Sequence, residues 1–337
     1  MGAKKQYRCG VIGYGGAFNM GRQHLSSLDD KDGVEAVAVC DMDAGRREIA
    51  AADWPGIKVY SRVGDMLKYA DLDLAVVVTP HNTHGPLALQ CLRAGVGVIC
   101  EKPMAVSSNE IKAMMQEARK RKLLLSTFHN RRWDGDFMVL RDLIQKEKRI
   151  GRVFRIEAGL SSYGPQGSWW RSDRKISGGS IYDWGAHFTD WILNLVAEPI
   201  DWVSGYQVKN HGWKGYTNED HSEYTVCFKG GCRATLTISN LSMSRRSRWR
   251  ILGEEGAIEE SDGKFRVESM VQGRRMHADV DYLESSGHKY YENVHAHLLG
   301  KEDLVITAES AARVIGVLEA ANISAARRGA PVKPAFV

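Results

Sequence analysis

The regular alternation of strand and helix signals over the first third of this 337-residue chain limits its fold more than any other feature. Helix-like stretches at 44–52, 87–94 and 108–121 separate short runs that are rich in Val, Ile and Leu. These runs lie at 7–12, 34–40, 72–78, 96–100 and 123–128. Continuous apolar strands that alternate with helices are typical of a parallel sheet covered on both faces. Right-handed crossovers then predict a doubly wound α/β domain.

The pattern changes after about residue 128. An amphipathic stretch at 137–148 leads into a strand-like run at 153–158, and helix signals return at 181–195 after a loop rich in Gly, Ser and Trp. From about 200 to 285, short alternating runs dominate, and Gly230-Gly231 between two of them predicts a hairpin turn. These runs include 223–228, 233–239 and 248–252. We therefore expect an α+β domain built on an antiparallel sheet.

The length of the chain predicts two domains, because a single ordinary core does not grow to this size. We place them at 1–127 and 128–337. An amphipathic helix at about 308–328 closes the chain, and we expect it to pack back on the first domain.

Composition indicates a soluble globular protein, with 43% hydrophobic and 26% charged residues and no apolar run of about 18 residues. No signal-peptide core precedes the first strand-like run, so we expect a cytoplasmic protein. The net charge of +5 is spread along the chain, and its densest cluster is Arg245, Arg246, Arg248 and Arg250. No nucleic-acid-binding module accompanies it. We interpret the cluster as a solvated strand face or a subunit contact, with an anion site as the alternative.

The chain has six cysteines and no C-x-x-C pair. Cys9, Cys40 and Cys100 lie in apolar strand-like runs. Reduced, buried thiols explain this distribution best, and we expect neither a metal site nor a disulfide.

A glycine cluster follows the first strand, in the order Gly13-Tyr14-Gly15-Gly16-Ala17. Glycines there permit a tight turn and the close approach of a pyrophosphate, which the next helix would meet with its N-terminal amides. Phe18 stands where the pattern G-x-G-x-x-G requires its last glycine, and Gly21 comes three residues later. We therefore expect a longer loop and a later helix start in a dinucleotide-binding, or Rossmann, domain.

Asp41 follows the second strand, where a carboxylate can bind both ribose hydroxyls of the cofactor. A carboxylate there would repel a 2′-phosphate, so we expect NAD rather than NADP. Arg46 and Arg47 lie close enough to leave NADP possible. The alternative role for Asp41 is that of a helix-capping residue.

Two further motifs follow predicted parallel strands, Thr79-Pro80 with His84, and Glu101-Lys102-Pro103. Ligands of open α/β sheets bind beyond the carboxyl ends of the strands. A lysine in this place can face a nicotinamide. Position alone nevertheless favours a solvated charge before a turn-forming proline.

In this combination the motifs resemble the Gfo/Idh/MocA oxidoreductases. The resemblance rests on Gly13-x-Gly15-Gly16, Thr79-Pro80 with His84 and Glu101-Lys102-Pro103. It continues through Asn-Arg-Arg-Trp at 130–133 and Gly-Gly-Ser-Ile-Tyr-Asp-Trp-Gly-Ala-His at 178–187, and it ends with the closing helix. It thus covers nearly the whole chain in the family's order.

The resemblance implies a Rossmann domain followed by a substrate domain on a large open antiparallel sheet. It also implies a cis or otherwise constrained peptide before Pro103, a dimer or tetramer formed through the open sheet, and a sugar, cyclitol or keto-sugar as substrate. His81 stands where many members have Asn, and Phe18-Asn19-Met20 departs from the usual glycine loop. Both departures leave details of cofactor contact open, including those of Ala17 and Phe18.

Asp183 and His187 are four residues apart, which places them on one face of a helix. The preceding Gly178-Gly179-Ser180 offers a flexible entry and a candidate N-cap. We assign His187 as the proton acceptor in alcohol oxidation and the donor in reduction. The family resemblance supports Lys102 as the group that hydrogen-bonds the same substrate oxygen and Asp183 as the residue that orients His187 or Lys102, or that holds a neighbouring hydroxyl.

The substrate pocket is less sharply marked. Aromatic rings suit the apolar face of a sugar, and an arginine can bind its hydroxyls. Trp184 and Trp191 are better explained as core or interface residues. The pocket candidates are Tyr163, Trp169, Trp170, Arg171, Asn130 and Arg131.

Two alternative functions share the fold that the resemblance implies. Some relatives hold NAD tightly, oxidise a sugar hydroxyl transiently and eliminate the aglycone, and so act as glycosidases. A non-catalytic sensor of NAD or sugar is the second alternative. The presence of Lys102, Asp183 and His187 together argues against the sensor.

Overall fold

The computed structural model describes residues 6–28, 33–165, 169–209, 211–244 and 246–337. Arg245 of the basic cluster lies outside the described residues. The chain divides into two compact units. One comprises Met1–His129 and His288–Ala311, and the other comprises Asn130–Gly287 and Ala312–Val337. The sequence-based division at 127 did not include the return of the chain to the first unit at His288–Ala311.

A six-stranded parallel sheet forms the core of the first unit. Its strands are β1 (Tyr7–Ile12), β2 (Val34–Cys40), β3 (Lys58–Tyr60), β4 (Leu74–Val77), β5 (Gly97–Cys100) and β6 (Leu125–Thr127). The connecting helices are α1 (Met20–Ser27), α2 (Ala44–Asp53), α3 (Val63–Tyr69), α4 (His81–Arg93) and α5 (Ser108–Arg121). The strand order β3-β2-β1-β4-β5-β6 reverses direction between β1 and β4, so the doubly wound sheet is confirmed.

Burial explains which strands the sequence pattern reveals. Every residue of β4 and β5 is buried, as expected for central strands covered on both faces. β3 is a short edge strand with two exposed residues, and it lacks the apolar run by which the other five were recognised.

Helix α4 begins at His81, six residues before the expected start at 87. Pro86 lies inside it, and a proline ordinarily signals a helix boundary because its ring cannot donate a backbone hydrogen bond. Here Pro86 falls in the second turn, and the first turn forms directly after Pro80.

An eight-stranded sheet dominates the second unit, in the order β14-β13-β12-β11-β7-β10-β9-β8. The strands are β7 (Val153–Ser161), β8 (Ile200–Val208), β9 (His221–Phe228), β10 (Arg233–Ser239), β11 (Trp249–Gly253), β12 (Gly256–Ser261), β13 (Lys264–Val271) and β14 (Arg274–Asp281). The hairpin between β9 and β10 is confirmed. The pairing of β10 with β7 is parallel, which differs from the antiparallel sheet that the sequence predicted. The long connection through β8 and β9 returns the chain to β7 in the same direction.

Three of the described helices of the second unit come before β8, and the last of them contacts β7 and β10 of this sheet. They are α6 (Gly135–Arg141), α7 (Arg174–Ser177) and α8 (Trp184–Leu195). Of the last two helices, α9 (Lys289–Leu298) belongs to the first unit, and the unit boundary falls within α10 (Ala308–Ala326). Alternate residues of β7 and β10, such as Ile156 and Leu236, are fully buried against α8. Phe188 and Trp191 of α8 contact Trp249 of β11, which closes this core.

One helix start expected in the second unit differs from the structure. The helical region expected over 181–195 starts with a 3-10 turn at Ser180–Tyr182, and α8 begins only at Trp184. Ser180 therefore does not cap α8, because Asp183 occupies the N-cap position; the Ser180 backbone N–H donates to Glu219 at 2.9 Å. The amphipathic stretch at 137–148 contains most of α6, which is followed by a π-helix at Asp142–Lys146.

All six cysteines are buried and free, as the sequence indicated. Burial raises the pKa of Cys40 to about 11 and that of Cys91 to about 12, so these thiols stay protonated near neutral pH. Within the described residues, no helix has the length and apolar character that crossing a bilayer requires.

Candidate active site

The glycine loop after β1 is shaped by two close backbone approaches. Gly13 has a φ of +103°, and a Cβ there would overlap the carbonyl oxygen of Val78. A Cβ at Gly21 would overlap the carbonyl oxygen of Gly13. Gly21 thus provides the close helix packing that the last glycine of G-x-G-x-x-G ordinarily provides. The longer loop is confirmed, since α1 begins only at Met20.

The middle of the loop is open. A Cβ at Gly15 would meet nothing within 4 Å, whereas one at Gly16 would overlap the guanidinium of Arg46. Phe18 is half exposed. Gly15, Ala17 and Phe18 are exposed and Gly16 is partly exposed, and the guanidinium of Arg46 lies against Gly16.

Asp41 ties the end of β2 to the glycine loop. Its Oδ2 accepts a hydrogen bond from the backbone N–H of Tyr14 at 2.7 Å, and its Oδ1 accepts one from Asp43 N–H at 2.9 Å. The residue that caps α2 is Asp43, whose carboxylate accepts from Arg46 N–H at 3.0 Å. Asp41 is therefore not the cap of α2. Arg47 is held by the carbonyls of Asp41 and Met42, at 2.8 and 2.9 Å.

His84 lies in the first turn of α4 and is 1% exposed. Its Nδ1 lies 2.6 Å from the carbonyl oxygen of Pro103, and its Nε2 lies 2.8 Å from that of Thr79. Burial lowers the pKa of His84, although both backbone hydrogen bonds act in the opposite direction. Each ring nitrogen thus lies within hydrogen-bonding distance of a backbone carbonyl, so His84 links the turns that follow β4 and β5.

Thr79 and Pro80 form the turn between β4 and α4. The Thr83 hydroxyl lies 2.7 Å from that of Thr79 and 2.6 Å from the carbonyl oxygen of Pro80. Pro80 occupies the N-cap position of α4, where no side chain satisfies the helix amides. This turn lies beside the glycine loop, since Gly13 approaches Val78 closely.

Glu101-Lys102-Pro103 follows β5, and the Lys102–Pro103 peptide is cis. Glu101 is 8% exposed. Burial acts to raise its pKa, but the hydrogen bond from His24, the charge of Lys102 and the Lys102 backbone N–H together lower it. The Glu101 carboxylate is therefore buried and ionised beside Lys102, and other groups of the protein hold its oxygens.

Asp183 and His187 lie on either side of the first turn of α8 in the second unit. Asp183 occupies the N-cap position, and His187 is 5% exposed. The His187 ring is flanked by Trp184 and Trp191, with ring centroids 5.6 and 6.1 Å away. Trp191 is 1% exposed and donates to the carbonyl oxygen of Arg131 at 2.9 Å, so it is a core residue.

Arg171 contacts both Asp183 and the rings of Trp169 and Trp170. Its Nη1 lies 3.6 Å from Asp183 Oδ2, and its guanidinium lies 5.0 Å from the ring centres of both Trp169 and Trp170. Asn218 donates to the Arg171 carbonyl at 2.6 Å. The sequence motifs pointed to the arginine and both tryptophans, but not to Asn218.

Arg131 covers the ring of Trp184 at 4.8 Å and pairs with Asp134 at 2.8 Å. Arg248 lies over the same ring at 5.8 Å and pairs with Asp136 at 3.0 Å. The sequence pattern was interpreted as placing Arg248 on a solvated strand face or in a subunit contact. The feature that could have indicated the contact of Arg248 with Trp184 is its position one residue before the buried Trp249 of β11.

Tyr163 and Asn130 are less central. Tyr163 is 52% exposed and contacts the rings of His211 and Trp213, each at 6.4 Å. Asn130 opens the 3-10 turn Asn130–Trp133. Among the described side chains, no group of three or more His, Cys, Asp or Glu could hold a metal ion.

The structure thus brings the predicted residues together in two sets. In the first unit, Asp41 joins the glycine loop, and His84 and Glu101 hold the Thr79 and Lys102 turns. In the second unit, Asp183, Arg171 and the two tryptophans form one group, and Arg131 covers Trp184 beside His187.

Comparison with known proteins identifies both units. Residues 7–129 match the family model described as "Oxidoreductase family, NAD-binding Rossmann fold", and residues 137–259 match the "GFO/IDH/MocA C-terminal domain". An NAD-binding protein from Listeria innocua has a similar solved structure, with a TM-score of 0.85 and 26% identity, covering 98% of this chain and 97% of that one.

Two curated relatives show how far the similarity reaches. The uncharacterized oxidoreductase YdgJ of Escherichia coli is 32% identical over 57% of this chain, and the match spans 54% of its own length. The scyllo-inositol 2-dehydrogenase (NADP(+)) IolW of Bacillus subtilis is 22% identical over 93% of this chain and 92% of its own. The chain therefore belongs to the Gfo/Idh/MocA family of oxidoreductases, and its first unit is the NAD-binding Rossmann domain of that family.

Proposed function

We propose that this protein is an NAD(P)-dependent oxidoreductase that interconverts a ring hydroxyl and a ring ketone of a sugar, a cyclitol or a derivative of either. The observation that carries the proposal is the placement of Lys102 within the first unit. It follows β5, at the carboxyl edge of the sheet whose β1 ends in the glycine loop. Ligands of doubly wound sheets bind at this edge, near the reversal of strand order.

The glycine loop fits a dinucleotide. Gly13 and Gly21 leave no room for a side chain, while Gly15 is open to the approach of a pyrophosphate. Asp41 is fixed by the Tyr14 amide where its carboxylate can accept from ribose hydroxyls. When bound, the nicotinamide ring accepts or returns a hydride. Asp41 supports NAD as the preferred cofactor, and Arg46 beside Gly16 supports the use of NADP as well.

The assigned side chains hold and move the proton. Oxidation of a secondary alcohol removes a proton from oxygen as the hydride leaves carbon. We assign His187 to accept that proton, since an imidazole can exchange a proton near neutral pH. We assign the ammonium of Lys102 to stabilise the negative charge that develops on the substrate oxygen. Asp183, paired with Arg171, presents a carboxylate at the start of the helix that carries His187.

The substrate class follows from the aromatic and cationic side chains of the second unit. Trp169, Trp170 and Arg171 offer ring faces and donors suited to a polyhydroxylated ring. The name of IolW, a scyllo-inositol 2-dehydrogenase, adds support for a cyclitol. We expect the substrate domain to form a homo-oligomer through its open sheet.

The test is a screen of sugars, cyclitols and their ketones with NAD and NADP, read as the absorbance of the reduced cofactor. The same screen is run on Lys102→Ala and His187→Ala. Each substitution should lower turnover by about a hundredfold or more while cofactor affinity stays within about twofold. Near-normal turnover in either variant would show that its residue was wrongly assigned. Cleavage of a glycoside without accumulation of reduced cofactor would instead indicate the redox-assisted glycosidase.

A further inference from the structure

A chain of buried hydrogen bonds within the first unit ends at the backbone of Lys102. The Tyr291 hydroxyl of α9 lies 2.6 Å from Nδ1 of His24 on α1, and His24 Nε2 lies 3.2 Å from Glu101 Oε1. Glu101 Oε2 accepts from the Lys102 N–H at 2.8 Å. His24 is 1% exposed and Tyr291 is 2% exposed, so solvent cannot substitute for either partner.

The donors and acceptors in this chain follow from its chemistry. The Glu101 carboxylate is ionised, because its pKa is lowered in spite of burial, and an ionised carboxylate only accepts. Nε2 of His24 must therefore carry the proton that points at Glu101. When the ring is neutral, Nδ1 accepts from Tyr291, whose phenol stays protonated because burial raises its pKa far above the usual range.

The position of His24 on α1 couples this network to the glycine loop. Gly21 and His24 are three residues apart and lie on the same buried face of α1. The turn that carries Gly21 packs against Gly13, and the next turn carries His24 to Glu101. The ring of Phe128 packs against the His24 ring, with 4.4 Å between the ring centroids.

We propose that His24 is a positioning residue for Lys102, acting through Glu101, and that Tyr291 fixes the His24 ring. The proposal rests on the function proposed above for Lys102. The titratable groups that face Glu101 are His24 from α1, His84 from α4, Tyr290 and Tyr291 from α9, and Cys100 and Lys102 along its own segment. Of these, His24 and Lys102 stabilise the ionised carboxylate.

The first test measures the ionisation of Glu101 in the full chain without any substrate. The ¹³C NMR signal of its carboxyl carbon, assigned with Glu101→Gln, is followed against pH. His24→Leu should raise the midpoint by about one to two pH units, the value expected for the loss of one hydrogen bond to a charged group. His24→Gln, whose amide can donate near the place of Nε2, should restore most of the shift. An unchanged midpoint in folded His24→Leu overturns the proposal.

Tyr291 offers a milder test with a matched control. Tyr291→Phe removes the hydroxyl on His24 and should shift the same midpoint upward by a smaller amount. Tyr290→Phe is the control, because Tyr290 is equally buried on the same helix but donates to Ser126 at 2.9 Å. Tyr290→Phe should leave the midpoint in place. Equal shifts in both variants would mean that the effect is general loosening of α9, which contradicts the proposal.

Turnover then separates this proposal from the proposed function. With a substrate in hand, His24→Leu should lower kcat by about tenfold, raise the pH of the acid limb of the kcat profile and leave the Kd of NAD within about twofold. A normal kcat and pH profile would reject His24 as a positioning residue while the proposed function stands. A shifted NMR midpoint without activity on any substrate would leave the network intact and reject the proposed function.

Discussion

Arg171 and Asp183 form an ion pair at the start of the helix that carries His187, with 3.6 Å between Nη1 and Oδ2. Both side chains are about one-fifth exposed, and the guanidinium is also covered by the rings of Trp169 and Trp170. Arg171 therefore holds Asp183 from one side, and both residues act as one unit.

This relationship predicts non-additive kinetics. Asp183→Asn should lower kcat/KM by about tenfold or more, and Arg171→Gln should do the same because it releases the carboxylate. The double variant should then lose little beyond either single one. Arg174→Gln is the control, since Arg174 belongs to the same segment but pairs with Glu219. Additive losses in the double-mutant cycle would show that the two residues act separately.

The glycine loop predicts different outcomes for two neighbouring substitutions. Gly13→Ala forces a Cβ into the Val78 carbonyl at a φ of +103°, so it should lower the free energy of unfolding by more than about 2 kcal/mol. Gly15→Ala meets nothing within 4 Å and should leave stability nearly unchanged while it weakens NAD binding. Urea unfolding and fluorescence titration with NAD measure the two effects. Equal stability of the two variants would contradict the observed packing of Gly13.

Cofactor choice should depend on Asp41 and Arg46. Asp41→Ser removes a charged acceptor of ribose hydroxyls and should weaken NAD binding by about tenfold, with a smaller loss for NADP. Arg46→Ala should weaken NADP more than NAD, because its guanidinium lies against Gly16 of the glycine loop and can pair with a phosphate. The Kd values of NAD and NADP, measured for both variants, test these two predictions. An Arg46→Ala variant with an unchanged ratio of the two Kd values would remove Arg46 from cofactor selection.

The ionised Glu101 should make stability depend on pH. Its pKa is lowered in the folded protein, so its contribution is fully present above about 4.5, the ordinary value, and is lost as pH falls through the folded value. The free energy of unfolding of the wild type should therefore fall in acid more steeply than that of Glu101→Gln. Denaturant unfolding across this acid range tests the difference. Parallel curves for the two proteins would mean that Glu101 contributes no acid-dependent stability.

The sequence predicted the first unit better than the second. Central strands such as β4 and β5 are buried on both faces, and their continuous apolar runs identify them directly. The short edge strand β3 and the start of α4 were not anticipated, because exposure removes the apolar signal and Pro86 imitates a helix boundary. The parallel pairing of β7 with β10 depends on residues distant in sequence, and no local pattern encodes it.

The sequence predicted which residues belong to the candidate site, but not which residues they contact. Motifs identified Asp41, Glu101 and Asp183, whereas their partners Tyr14, His24 and Arg171 were unrecognised or were assigned to a ligand. The motifs likewise pointed to His84 but not to the two backbone carbonyls that lie within hydrogen-bonding distance of its ring. A motif indicates which side chains are needed, but their hydrogen-bond partners come from other elements of the fold.

The most direct test of the central claim follows the hydride itself. A cyclitol or sugar that gives turnover is prepared with deuterium on the carbon bearing the reactive hydroxyl, and the recovered cofactor is analysed by mass spectrometry. We predict that deuterium appears in the reduced nicotinamide with the wild type and is nearly absent with Lys102→Ala and His187→Ala at equal NAD occupancy. Conversion of the labelled substrate without transfer of deuterium to the cofactor would contradict the account.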